Sequence, residues 1–214
     1  MKNMNSGFKK GTGISLIIGS VLMIVTMLLH PVGGDLDQLL KIVRIGIVSH
    51  SIAIASIPFV AYGFWGLTRH LGSDRFFPMI AFSFMAFGLV AVMIAAAING
   101  LILMDFVQHY EGATDGTIAS LQPVFVLIRS FNHAFDFIYI GAVCVSTLFW
   151  SIGIITTKLL PRWLGYWGIA LVALVLMLIL FDFVFIDVKG FTLFIFGYVA
   201  WTFCTGYLLI KSDP

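Results

Sequence analysis

The chain has 214 residues, of which 60% are hydrophobic and only 10% are charged, and its mean hydropathy is +1.06. Soluble domains contain about 25% charged residues, so this composition excludes a soluble globular protein and indicates an integral membrane protein surrounded by lipids. The formal charge of +2 is small and the basic residues are scattered, which excludes a nucleic-acid-binding surface.

Six apolar stretches are each long enough to cross the hydrocarbon core of a bilayer, which takes roughly 20 residues. They lie near residues 13–30, 44–69, 77–107, 123–157, 163–182 and 190–210. The first follows a basic N-terminus, as a signal peptide would, but it is longer than a usual signal core and no A-x-A cleavage signal follows it. We therefore interpret it as a retained helix. The sequence predicts an all-α polytopic membrane helix bundle that forms a single domain over residues 1–214.

The basic residues predict the orientation of the bundle, because Lys and Arg near helix ends favour the cytoplasmic side. With the N-terminus inside, the inner side carries eight of them: Lys2, Lys9, Lys10, Arg69, Arg75, Lys158, Arg162 and Lys211. The outer side carries four: Lys41, Arg44, Arg129 and Lys189. We therefore expect both termini to be cytoplasmic.

The fourth span contains the segment RSFNHAFDF, residues 129–137, which is unusually polar for a membrane helix. At 100° per residue its polar side chains fall within one arc of about 100°, and they are Arg129, Asn132, His133 and Asp136. Phe131 and Phe135 lie on the opposite side. A charge that faces lipid costs about 2.5–3.5 kcal/mol at the bilayer centre. The polar stripe is therefore expected to face protein.

Other spans carry polar side chains at a similar depth. In the third span, a stripe formed by Gly88, Ala91 and Ala95 leads to Asp105 and His109, and such small residues allow helices to approach closely. Comparable stripes lead to His50 in the second span and to His30 in the first, and Asp182 lies at the outer end of the fifth. We expect these groups to converge on an outward-facing polar pocket.

Imidazole and carboxylate groups in such a pocket suggest a transition metal or haem. The predicted metal ligands are His50, His133 and Asp136, joined by Asp105 or His109. For a catalytic zinc, Arg129 would stabilise a developing oxyanion and Asn132 would orient a ligand. For haem, His50 and His133 would be the axial ligands.

Three other interpretations stay open. The polar groups could belong to a small-molecule or proton-coupled transporter, since ionisable groups inside a membrane also mark transport pathways. They could form a structural hydrogen-bond network between the second, third and fourth spans. They could also be ordinary polar residues at helix ends, solvated at the membrane surface. The sequence leaves the existence of an enzymatic activity open.

The segment KLLPRWLGYWGIALVALVLMLIL, residues 158–180, resembles the hairpin between the fourth and fifth spans of a group of bacterial six-helix membrane proteins catalogued only as a domain of unknown function. The similarity extends to the basic N-terminus, the first span ending in His30 and Pro31, and the long fourth span. It implies a location in a bacterial inner membrane. The residue types also resemble, more distantly, helical membrane hydrolases that hold zinc with His and Asp. The HxxxH pair of those enzymes is missing here, so no residue role is carried over.

Overall fold

A computed structural model describes residues 6–31 and 36–211, so Lys2, counted above among the inner basic residues, lies outside the described ranges. All regular elements in these ranges are helices: α1 (Ser6–Leu29), α2 (Leu36–Gly72), α3 (Phe76–Ala97), a π-helical turn (Ile98–Ile102), α4 (Leu103–Gln108), α5 (Asp115–Thr157), α6 (Arg162–Leu180) and α7 (Val188–Lys211). Helices α3 and α4 are continuous through the π turn, so the described chain contains six helices that are long and apolar enough to cross a membrane. The predicted all-α six-helix membrane bundle is confirmed.

The six spans form a ring in which each packs against its two neighbours. Going around it, α1 packs on α2, α2 on α3, α3 on α5, α5 on α6, α6 on α7 and α7 back on α1. The first and last helices meet closely near the two chain ends, where Gly13 faces the backbone of Gly206. The first residues of α1 and the last residues of α7 therefore lie at one face of the bundle. We call it the terminal face and the opposite one the distal face.

The spans differ in length, and this difference gives the molecule an extension on one side. Helices α1, α6 and α7 contain 24, 19 and 24 residues, or about 29–36 Å at 1.5 Å per residue. This matches a hydrocarbon core of about 30 Å. Helix α2, the α3–α4 span and α5 contain 37, 33 and 43 residues, which corresponds to about 50–65 Å. Their distal ends pack around a small separate core of Leu36, Leu39, Met104 and Val107, which we call the distal extension.

Four aromatic side chains fill the centre of the ring in its terminal half: Phe64, Trp150, Tyr198 and Trp201, called the aromatic plug below. They come from α2, α5 and α7, which are alternate members of the ring. Phe64 stacks on Trp150 with ring centroids 4.4 Å apart, and Trp150 donates a hydrogen bond from Nε1 to Thr68 Oγ1 over 3.0 Å. The Nε1 group of Trp201 donates to the Leu164 carbonyl, also over 3.0 Å. The buried indole N–H groups are therefore satisfied, and the plug closes the bundle on the terminal side.

Reporter fusions test the predicted orientation of this bundle. A reporter that is active only in the cytoplasm is expected to work when fused after residues 72, 160 and 214, and to fail after residues 113 and 187, because the first three sites lie at the terminal face or follow its last helix. Activity only at residues 113 and 187 would reverse the orientation. Activity at a mixture of sites from both faces would contradict the fold itself.

Candidate functional site

A cavity of about 510 Å³ occupies the distal half of the bundle. Its lining comes from α1, α2, the α3–α4 span, α5, α7 and the α6–α7 connection. At the distal face it is lined by Pro31, Arg129 and Asp187, and in the middle of the bundle by Val60 and Tyr139. Phe64, the next α2 residue on that face toward the terminal side, belongs to the aromatic plug. The cavity therefore reaches from the distal face to the middle of the bundle and ends near the plug.

Six polar side chains of the cavity wall lie at one level. Each of them lies about 32–38 Å from the terminal-side end of its own helix, measured along the helix axis at 1.5 Å per residue. We call this set the polar belt, and its members are His30, His50, Asn99, Asn132, His133 and Asp136. The predicted convergence of polar side chains is thus present for the first, second and fourth spans. The wall between the belt and the plug is mainly apolar, with Met23, Val60 and Leu89 as examples. Its polar side chains carry hydroxyl groups and are Thr26, Ser56 and Tyr139.

Two histidines of the belt face each other across the α1–α2 contact. The rings of His30 and His50 have centroids 5.0 Å apart and are tilted by 53°. His30 Nδ1 bonds to the Pro31 carbonyl over 3.0 Å, and His50 Nδ1 bonds to the Gly46 carbonyl over 2.8 Å. Because a carbonyl oxygen only accepts, each Nδ1 carries the proton and donates. In the neutral rings, each Nε2 then presents a lone pair.

His30 lies just beyond the last residue of α1 and is still largely buried. Burial, together with the neighbouring His50, lowers the pKa of His30 to about 4, although the hydrogen bond to Pro31 opposes this shift. The His30 ring is therefore neutral at pH 7. Its Nε2 atom acts there as a hydrogen-bond acceptor.

The carboxylate of the belt is held by a neighbour on its own helix. Asp136 is 9% exposed, and its Oδ2 accepts a hydrogen bond from Asn132 Nδ2 over 2.7 Å. These residues are four apart, so their side chains lie one above the other on the helix surface. The described hydrogen bonds join Asp136 to Asn132, and His133, predicted to bind the same metal as Asp136, lines the cavity half-buried. Asn132, predicted to be a catalytic residue, thus positions the carboxylate.

The π-helical turn Ile98–Ile102 determines which side chains of the third span reach the site. A π turn adds a residue to the helix, which rotates all following positions by about 100° relative to an uninterrupted α-helix. Gly100 therefore faces α2 and packs directly against the imidazole of His50. A Cβ atom at position 100 would overlap His50 Cβ and Cγ. Any residue larger than glycine at position 100 would therefore displace the side chain of His50.

The same rotation overturns one prediction for this span. Asp105 and His109, expected on the face of Gly88, Ala91 and Ala95, are exposed and lie outside the cavity. The imidazole of His109 forms a hydrogen bond within its own helix, in which Nδ1 donates to the Asp105 carbonyl over 2.8 Å. Met104 and Val107 take the buried positions of α4 instead. The helical periodicity used for the prediction did not include the extra residue of the π turn.

The rim of the cavity carries charged groups. Arg129, predicted to lie on the stripe that faces protein, is exposed, yet it contributes to the lining of the cavity. Asp187 caps the start of α7, where its Oδ1 accepts from the backbone N–H of Gly190 over 2.6 Å. Asp182 is exposed in the turn after α6, has a φ of 58° and does not line the cavity.

The predicted ligand set does not form a metal centre. Among the described residues, no group of three or more His, Cys, Asp or Glu side chains is arranged to hold a metal ion, whereas a catalytic zinc needs three protein ligands. Asp105 and His109 are absent from the wall, and the ring contact of His50 is with His30. The residues therefore do not fit the zinc hypothesis, and no step through a metal is derived for Arg129 or Asn132.

Three features of the site were not assigned by sequence reasoning. His30 was recognised as polar, but its contact with His50 depends on the distance between two helices. Asn99 enters the belt through the π turn. The buried hydroxyl of Thr26 lines the cavity without a hydrogen-bond partner. Glycine at position 100, next to Asn99, is the one sequence signal that could have indicated a close approach between the third span and α2.

Comparisons with protein-family models, with curated proteins and with solved structures find no match for this chain. The resemblance to bacterial six-helix membrane proteins therefore stays a prediction.

Proposed function

We propose that the protein is a small-molecule transporter of a bacterial inner membrane, with its cavity open to the distal face. The observation that carries this proposal is the 510 Å³ cavity that ends in the middle of the bundle at the aromatic plug. A volume of this size lies within the range of about 300–1,000 Å³ found for small-molecule sites. With the predicted orientation, the ligand enters from the outer side.

The wall composition supports a binding role. Small-molecule sites are mostly apolar and contain a few polar groups that orient the ligand. Here the imidazole and amide groups of the wall and the carboxyl group of Asp136 lie in the belt, and the deeper wall is mainly apolar. A purely structural network would leave few acceptors unused, whereas Nε2 of both His30 and His50 has no described hydrogen-bond partner.

Two features of the fold favour transport over a one-sided receptor. The side chains of the aromatic plug come from alternate helices of the ring. A shift of those helices would separate the plug side chains and open the cavity toward the terminal face. The third span is also interrupted by the π turn at the level of the belt, and non-regular helix segments beside a cavity are common at transporter binding sites.

Thiol labelling from each side of the membrane tests the proposal. In a background in which Cys144 and Cys204 are changed to alanine, Ala53→Cys places a thiol in the cavity wall. A charged, membrane-impermeant thiol reagent is expected to label it from the distal side, and more slowly from the terminal side as the plug opens. Labelling is measured in sealed vesicles of both orientations.

Ala55→Cys is the matched control, because Ala55 lies on the same helix two residues away, is exposed and does not line the cavity. Its thiol faces lipid and is expected to stay unlabelled from both sides. Labelling of Ala53→Cys from the distal side alone would reject transport and leave a one-sided binding protein. No labelling from either side would reject the accessible cavity.

Binding of a single transition-metal ion is the second candidate, and the facing imidazoles of His30 and His50 are the observation in its favour. Their ring centroids are 5.0 Å apart, which is too close for the two rings to be the axial ligands of one haem. Two nitrogen ligands alone fall short of the set that a structural or catalytic zinc uses. Purified protein with about one equivalent of metal, lost in the His30→Ala, His50→Ala double variant, would support this role. A Soret band would instead support the haem predicted between His50 and His133.

A further inference from the structure

We infer that the cavity binds a protonated organic amine with an apolar body. This inference rests on the proposed function, since it names the class of ligand for the same cavity. It depends on the balance of charges and hydrogen-bonding groups in the polar belt and on the composition of the wall below it.

Asp136 is the centre of the argument. Its carboxyl group is buried in the wall, accepts one hydrogen bond from Asn132, and forms no ion pair with any described basic side chain. Arg129 is seven residues away, about 10 Å along the helix, and is exposed at the rim. A buried carboxylate is costly unless a cation and further hydrogen bonds compensate it. A cationic group on the ligand would supply both.

Three further groups of the cavity wall can accept hydrogen bonds. Nε2 of His30 and of His50 each present a lone pair, because Nδ1 of each ring donates to a backbone carbonyl. The Thr26 hydroxyl, 4% exposed and without a partner, adds a third group that can accept. An alkylammonium group has three N–H donors. A site with one carboxylate and several neutral acceptors is complementary to such a group.

The wall below the belt defines the rest of the ligand. Met23, Val60 and Leu89 line this part of the cavity, and the charged groups of the wall lie at the belt or at the rim. A compact hydrocarbon body would fill the space and remove apolar surface from water. An anionic head group is disfavoured, because it would meet Asp136 in a buried site and the lining cation, Arg129, is exposed at the rim.

A matched series of three probes tests the inference: 1-adamantylamine, 1-adamantanol and 1-adamantanecarboxylate. They share one rigid body and differ only in the head group. Binding to the full-length protein in lipid nanodiscs is measured by titration calorimetry at pH 7. The wild-type protein is expected to bind the amine at least about tenfold more tightly than the alcohol, since hydrogen bonds to a charged group are stronger than those between neutral groups. Binding of the carboxylate is expected to be undetectable.

Variants locate the effect. Asp136→Asn keeps the shape and removes the charge, so it is expected to abolish the preference for the amine while the affinity for the alcohol stays within about twofold. Asp136→Glu keeps the charge and is expected to retain the preference. Asp105→Asn removes an exposed carboxylate outside the cavity and serves as the control that binds like wild type.

Equal affinities of the wild-type protein for amine and alcohol, or tighter binding of the carboxylate, would overturn the inference without requiring any variant to fold. A preference that survives in Asp136→Asn would also overturn it. In each of these cases, labelling of Ala53→Cys from both sides would still support a transporter. Failure of all three probes to bind rejects the amine, and the thiol labelling then decides separately whether the cavity is used.

Discussion

Replacing Trp150 by alanine is expected to lower the free energy of unfolding by about 3–5 kcal/mol, the usual range for removing a large buried aromatic side chain. Trp150 is fully buried, stacks on Phe64 and donates a hydrogen bond to Thr68. In a bilayer, helices associate mainly through packing and hydrogen bonds, and this side chain contributes both. The cavity left behind would also continue the distal cavity toward the terminal face.

Trp163→Ala is the matched control. Trp163 lies at the terminal-side end of α6, is 51% exposed and stacks on Trp167 with ring centroids 6.1 Å apart. Its removal is expected to change stability by less than about 1 kcal/mol. Both variants are compared with wild type by reversible unfolding in mixed detergent micelles. Similar losses for the two variants would show that the plug is not the stabilising core of the terminal half.

The number and type of helices could be predicted because long apolar stretches need no information about tertiary contacts. The ends of the helices were predicted less well where they leave the membrane. Helix α2 starts at Leu36, and not near residue 44, because the charged positions Lys41 and Arg44 lie on a helix that continues into the distal extension. Helix α5 begins at Asp115, so Pro123 lies inside the helix and does not mark its start. Hydropathy reports the bilayer boundary and not the end of the helix.

The site could be predicted on the fourth span and not on the third. In α5, an uninterrupted helix, the arc of Asn132, His133 and Asp136 faces the cavity as its periodicity indicates. In the third span, one π turn rotates the distal residues, and the same reasoning placed Asp105 and His109 wrongly. The contact between His30 and His50 could not be predicted, since it depends on how closely α1 and α2 approach.

The π turn leads to the second large expected effect. Gly100→Ala is expected to destabilise the protein by about 1–3 kcal/mol, the range for overpacking a filled site, because its new methyl group would occupy the place of His50 Cβ and Cγ. Gly141→Ala is the control: no neighbouring atom lies within 4 Å of a Cβ built there, so the higher helix propensity of alanine should add up to about 1 kcal/mol.

The two glycine variants are therefore expected to change stability in opposite directions, although both make the same chemical change in a membrane helix. Displacement of the imidazole in Gly100→Ala would also remove one acceptor from the polar belt, so the affinity for 1-adamantylamine should fall, while Gly141→Ala should bind like wild type. Unfolding in mixed micelles and titration calorimetry measure the two effects. A Gly100→Ala protein as stable as wild type, with unchanged affinity, would mean that the imidazole of His50 is not held against the π turn, and the acceptor geometry of the belt would have to be abandoned.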